Sequence, residues 1–184
     1  VKTVESYLDI DIDYYVKINF KGVVKLIDAL GGIDVKVPYS FCEQNSSRQW
    51  GKHTVFVYKG NQHLDGEQAL ALSRNRHSPS DYETTAMSKY CPKLNEGTRN
   101  DFVRGQNQQL VLKAALNKVK TIKSVETLYE ILDVLGKNMN TNMSKKTILS
   151  FYELAKKIIS QTENLELTDV ISIQKFYLES FILT

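Results

Sequence analysis

Residues 20–38, FKGVVKLIDALGGIDVKVP, constrain the fold more than any other stretch. Val23, Val24, Ile27 and Leu30 recur at helical spacing, and Gly31 and Gly32 follow where a helix needs a permissive residue to stop. IDVKVP, 33–38, then changes the period to two: Ile33, Val35 and Val37 share one face, and Pro38, with no N–H to give a ladder, ends the run. Before the helix, IDYYVKINF at 12–20 is rich in β-branched and aromatic residues and reads as a strand. Strand, helix, glycine turn and strand make a βαβ unit, so an α/β fold is expected, with helices on the faces of a mixed sheet.

The remaining pattern extends this reading. HTVFVYKG, 53–60, is another strand candidate, and LDGEQALALS, 64–73, begins a helix with Asp65 as N-cap and Gln68 three residues on, the capping-box spacing. Helices are expected at 101–119, at 124–136 between a Ser124 cap and a Gly136 stop, and at 144–160 behind Ser144; LELTDVISI, 165–173, reads as a late strand. VKTVESYL at the start places Val1, Val4 and Leu8 on one side of a helix with no earlier strand to cover, as in a chain that begins inside a longer domain. Residues 77–100 hold two of the three prolines and few large aliphatics, which fits a functional lid and a tolerated insertion equally. At 184 residues and 42% hydrophobic the chain can bury one sizeable core, so 1–184 is expected to be a single domain.

Charge removes one class of partner. A net charge of +3, without a run of five basic residues, gives no electrostatic footprint for nucleic acid, and none is expected. No stretch approaches the roughly 18 apolar residues of a membrane span. Cys42 and Cys91 are the only cysteines and lie in polar stretches; they are either a disulfide, which requires an oxidising compartment, or two unrelated thiols. His63 and His77 lack metal-ligand spacing and read as surface or rim residues, and Tyr7, Tyr14 and Tyr15 read as packing.

Candidate chemistry centres on DFVRGQNQQLVLKAAL, 101–116. On a helix, positions 104, 108, 112, 115 and 119 form one stripe, so Arg104 and Gln108 continue the face that Leu112, Ala115 and Val119 turn to the core. A guanidinium fork beside a helix N-terminus suits a phosphate or carboxylate. The alternative is that Arg104 pairs with Asp101, three residues earlier, while the glutamines face water; geometry alone leaves both open. ALALSRNRH, 69–77, adds Arg74 and Arg76. In a helix they diverge by about 160°, but in an extended segment they point the same way. If both serve one anion, the helix must end near Ser73.

The blocks YYVKINFKGVVKLIDALGGIDVKVP (14–38), GNQHLDGEQALALSRNRH (60–77) and DFVRGQNQQLVLKAAL (101–116) resemble, in order and spacing, blocks of the LytR-CpsA-Psr family of cell-wall enzymes. The resemblance covers about residues 1–120, and the C-terminal helices at 124–160 and the strand at 165–173 more loosely. It implies a three-layer α/β/α sandwich whose central mixed sheet encloses an apolar lipid tunnel. It also implies a phosphotransferase on the outer face of the cytoplasmic membrane of Gram-positive and related bacteria, held by an N-terminal anchor that this chain lacks. Such enzymes move a glycopolymer, a teichoic acid or a capsule polymer, from a polyprenyl-pyrophosphate carrier to a peptidoglycan acceptor. The family's paired arginines match Arg74 and Arg76, its next arginine Arg104, its glutamine Gln108 and a neighbouring acidic position Asp101. All three arginines and Gln108 are thereby implied to bind pyrophosphate, and the arginines with Asp101 to be catalytic. Phe20, Val24, Ile27, Leu112 and Leu116 are candidates for the tunnel wall, with ordinary core packing as the alternative.

Two departures stand out. Many relatives carry another basic residue two or three places after the position of Arg104, where this chain has Gln106 and Asn107. The family's first strands, with a further arginine and the aspartates for Mg²⁺ and base chemistry, precede the match to VKTVESYL, so the Mg²⁺ ligands are expected upstream and none in this chain. A non-catalytic binder of polyprenyl-pyrophosphate glycans is therefore one rival, and a transcriptional regulator the other.

Overall fold

A computed structural model of the chain describes residues 1–76, 87–91 and 100–161, with the backbone alone at 87–88 and 155–161. The architecture is mixed α/β. Helix α1 (Lys2–Leu8) buries no residue. Strand β1 (Val16–Ile18) leads to α2 (Phe20–Ala29), whose N-cap Asn19 accepts a hydrogen bond from the Gly22 N–H. Gly31 and Gly32, both at positive φ, turn the chain into β2 (Ile33–Val37), where buried and exposed residues alternate as the sequence pattern requires. Strand β3 (Phe41–Glu43), a 3₁₀ turn (Gly51–His53), β4 (Val55–Val57) and β5 (Gly60–Leu64) precede α3 (Gly66–Arg74). Both halves of the Asp65–Gln68 capping box form. Then come α4 (Met87–Tyr90), α5 (Asp101–Val119), α6 (Val125–Leu135), a 3₁₀ turn (Gly136–Asn138), β6 (Met139–Thr141) and α7 (Lys145–Gln161). Ser124 and Ser144 cap α6 and α7 through the N–H groups of Thr127 and Thr147.

Strand pairing departs from expectation. Among the described residues the strands form three two-stranded antiparallel ladders, β1–β6, β2–β5 and β3–β4, so β1 and β2 are not the neighbouring strands of a βαβ unit. The expected strand over 12–20 is confined to Val16–Ile18 because its partner is only three residues long; Asn142 ties off the ladder by accepting from the Tyr15 N–H and donating to Asp13 O. The expected strand over 53–60 is divided: Gly60, at φ 106°, starts a new strand, β5, that the periodicity did not indicate. The late strand expected at 165–173 and His77 lie outside the described residues.

The main core forms where β2, α2, α3 and α5 meet, around Ile27, Ile33, Val37, Leu64, Leu72 and Val111. Each such aliphatic side chain contributes about 1.5–3 kcal/mol by leaving water. Helices α2 and α3 approach so closely at Gly66 that a Cβ there collides with the Val24 backbone. A second cluster of Leu30, Ile131 and Leu135 joins α2 to α6, and the Tyr152 hydroxyl donates to Ile122 O at 2.8 Å to dock α7. Tyr7 is a correction: it is 80% exposed, because α1 has no covering element among the described residues.

Cys42 and Cys91 are joined by a disulfide with Cα atoms 6.1 Å apart. Both are buried rather than lying in exposed polar stretches, and Trp50 packs on them. The link fixes the α4 segment to β3; a closed loop of this length removes about 4 kcal/mol of freedom from the unfolded chain on the entropic account.

Candidate functional site

Helix α3 ends where the paired arginines require. Arg74 is its last residue, and Asn75 follows in an extended conformation (φ −65°, ψ 120°). The Asn75 side chain turns inward, fully buried, and its Nδ2 donates to Glu43 Oε2 at 3.3 Å. Arg74 stacks its guanidinium over the Phe20 ring, 4.9 Å from the centroid, and donates to Asn45 O at 3.3 Å. Burial holds the Arg74 guanidinium below its ordinary range and Arg48 adds to the shift, while Glu43 and Glu67 oppose it; an arginine stays charged through shifts of this kind. The loop carrying Asn45 is tied to α3 by Glu67, which accepts from the Ser46 N–H at 2.7 Å and from the Ser46 hydroxyl.

Arg76, from the extended segment after α3, and Arg104, from the first turns of α5, converge. Arg76 Nη1 lies 3.9 Å and Arg104 Nη2 3.3 Å from the same oxygen, Asp101 Oδ1. The Arg104–Asp101 pair, one of the two alternatives left open by geometry, therefore forms, and Arg76 is drawn to the same place. Asn100 caps α5 by accepting from the Val103 N–H, so Asp101 stands in the first turn, where the helix dipole favours a negative charge. Asp101 is 70% exposed and Arg104 29% exposed, so the cluster is a rim.

Beneath the rim lies a polar layer that pattern reasoning missed. The stripe expected at 104, 108, 112, 115 and 119 holds in part: Gln108 is buried and Ala115 and Val119 pack against the core clusters, but Leu112 is exposed, and Asn107 and Val111 are buried beside Gln108. Asn107 keeps its place in the interior by donating to the Tyr39 hydroxyl at 2.6 Å. Gln108 is 8% exposed, and its Nε2 finds no hydrogen-bond acceptor among the described residues. An orphaned amide in such a position costs about 1–3 kcal/mol. Glu43 and Asn75 were missed as well; the asparagine between two arginines was the one available signal for the latter.

Of the expected tunnel residues, Phe20 lies under Arg74, Val24 and Leu116 are half-buried, and Ile27 is packed in the core. Leu112 faces away from that core, because α5 presents Val111 there instead. Among the described residues no three His, Cys, Asp or Glu side chains are grouped to hold a metal. Asp101, the carboxylate paired with Arg76 and Arg104, is already shared by those two arginines, so the described residues do not fit Mg²⁺. His63 lies away from the rim on β5, exposed, between Asp34 Oδ1 (2.7 Å) and Gly31 O (2.9 Å). Its hydrogen bond to Asp34 raises the imidazole above its ordinary value and lowers the Asp34 carboxyl.

Comparison with known proteins identifies the family. The LytR_cpsA_psr family model matches residues 1–89 and 92–178. The polyisoprenyl-teichoic acid–peptidoglycan teichoic acid transferase TagT of Bacillus subtilis is 32% identical over 168 residues, 91% of this chain and 45% of that relative. The crystal structure of Bacillus subtilis TagV superposes with a TM-score of 0.62 at 29% identity, covering 85% of this chain and 51% of that one. A structure of TagT bound to LI-WTA gives a TM-score of 0.55 at 29% identity, over 85% and 49% of the two chains. The chain spans less than half the length of the curated relatives it matches.

Proposed function

The chain belongs to the LytR-CpsA-Psr family, and on that premise we propose that it takes part in moving a glycopolymer, a teichoic acid or a capsule polymer, from a polyprenyl-pyrophosphate carrier onto peptidoglycan. One observation carries the reading: Arg76 and Arg104 meet at a single oxygen, with the unpaired Gln108 amide one turn further along the same helix. Exposed ion pairs contribute at most about 1 kcal/mol. A phosphate oxygen that takes the place of Asp101 Oδ1 therefore displaces little and gains two charged donors.

In this proposal Arg74, Arg76 and Arg104 hold the pyrophosphate, and Gln108 Nε2 donates to one of its oxygens. A hydroxyl of a peptidoglycan sugar attacks the phosphorus that bears the glycopolymer, giving its proton to a base outside the described residues; the new P–O bond forms as the bond to the carrier phosphate breaks, and polyprenyl phosphate leaves. Charge that develops on the oxygens is met by fixed guanidiniums, and one such preorganised donor is worth about 10²–10³ in rate. Asp101 occupies the two rim guanidiniums until a phosphate oxygen displaces it. The carrier lipid lies against Phe20, Val24 and Leu116, in a tunnel of the sandwich to which the chain contributes, with Ile27 behind that wall. Mg²⁺ belongs to the proposal with ligands outside the described residues, and no step here runs through it. The Cys42–Cys91 disulfide supports action on the outer face of the membrane, where disulfides persist.

The test is turnover: the protein is incubated with a polyprenyl-pyrophosphate-linked glycan, peptidoglycan and Mg²⁺, and polyprenyl phosphate is measured. Release that falls at least about 100-fold in Arg104→Ala is expected. Lipid retained by the protein without any release leaves a binding protein instead.

A further inference from the structure

We propose that Glu43 is a positioning residue for the arginine pair: its buried carboxylate holds Asn75, the residue between Arg74 and Arg76, and so sets how both guanidiniums are presented. The inference rests on the phosphate-clamp reading above. Glu43 closes β3 and is only 5% exposed, in a strand whose other residues are apolar. A carboxylate there is costly unless fully bonded. Its Oε1 accepts from the Gln44 N–H at 3.0 Å and its Oε2 from Asn75 Nδ2 at 3.3 Å. Asn75 is also held by its backbone, since its own N–H closes the last turn of α3 on Ala71 O at 3.0 Å.

The two anchors do different things. The backbone bond ends the helix at Arg74, and the side-chain bond keeps Asn75 extended and inward, so that Arg74 leaves toward Phe20 and Arg76 toward Asp101. The anchor itself is rigid. Glu43 pairs with Val55 of β4, and the residue before it is the disulfide-bonded Cys42. A leucine of similar size fills the same space, so packing does not explain a buried acid at this place; a fixed acceptor for Asn75 beside the half-buried Arg74 does.

The experiment measures binding of inorganic pyrophosphate by calorimetry, together with the arginine Nε–Hε resonances. Glu43→Gln keeps the shape but leaves one acceptor oxygen for two donors, the Gln44 N–H and Asn75 Nδ2, and sets an NH2 against whichever is not served; it is expected to weaken pyrophosphate binding about fivefold, the worth of one hydrogen bond, and to move the Arg74 and Arg76 signals. Combining it with Asn75→Asp restores a donor–acceptor pair and returns affinity to within about twofold, a rescue that a packing role does not predict. If Glu43→Gln leaves affinity and signals unchanged, or the double variant fails to recover, while Arg104→Ala abolishes binding, Glu43 has no positioning role and the clamp stands. If Arg104→Ala binds pyrophosphate like the parent, the clamp reading falls and this inference with it.

Discussion

The rim and the layer beneath it use the same kinds of polar groups to opposite ends. At the rim, Asp101, Arg76 and Arg104 pair in water at 3.3–3.9 Å, and each bond is cheap to exchange. In the layer, Asn75, Asn107 and Glu43 are at least 95% buried, and each bond is expensive to lose. Exposure thus separates the groups that trade partners with a ligand from the groups that keep the first set aimed. Gln108 belongs to the layer by burial and to the rim by its unpaired amide, and that combination marks it as the place where the two meet.

The contrast can be broken experimentally, starting with what holds the layer. Reduction of the Cys42–Cys91 disulfide, or its replacement by Cys42→Ser with Cys91→Ser, is expected to lower unfolding free energy by about 4 kcal/mol in denaturant titrations; a change below about 1 kcal/mol would show that the link is slack. Asn107→Ala removes a buried donor to the Tyr39 hydroxyl and leaves a small cavity, with an expected loss of about 2–3 kcal/mol. Asp101→Ala at the rim changes stability by no more than about 0.5 kcal/mol and frees two guanidiniums, so pyrophosphate binds at least as tightly as to the parent. A destabilisation equal to that of Asn107→Ala would erase the distinction between rim and layer.

The smallest effect lies outside both regions, at His63. Its pKa is raised above the ordinary 6.5 by the hydrogen bond to Asp34, so the pair's stabilisation is complete below 6.5 and is lost as pH rises through the raised value. The Asp34 carboxyl is lowered from 3.8, so at the acid end the contribution persists above 3.8 and fades as pH falls through the lower value. Melting temperature is therefore expected to decline slightly more between pH 6 and 9 in the parent than in His63→Gln, because the pair is exposed and screened. Parallel curves would contradict this.

Much of the helical frame was legible because caps and stops are local. Asp65 with Gln68, Ser124, Ser144 and the Gly31–Gly32 stop are chemical statements about a few adjacent residues, and each element begins or ends where they place it. Strand partners were not legible, since pairing β2 with β5 and β1 with β6 joins residues that no local pattern links. In the site, the arginine spacing set a helix end near Ser73 only on the premise that both arginines serve one anion; α3 ends one residue later, with Arg74 over Phe20 and Arg76 toward Asp101. The phase of α5 was legible only in part: periodicity favours Leu112 over Asn107 for the interior, whereas Val111 packs in the core and Asn107 is buried against the distant Tyr39 hydroxyl. Glu43 was hidden for the same reason, as its partner Asn75 stands 32 residues away.

The central claim is that the converged arginines hold a lipid-linked pyrophosphate. The most direct measurement is mass spectrometry of lipid extracted from the protein purified from a polyprenyl-pyrophosphate-producing bacterium, alongside the Arg76→Ala, Arg104→Ala double variant. The account predicts a polyprenyl-pyrophosphate species in the parent and its loss from a variant that remains folded; equal amounts of that lipid in both would contradict it.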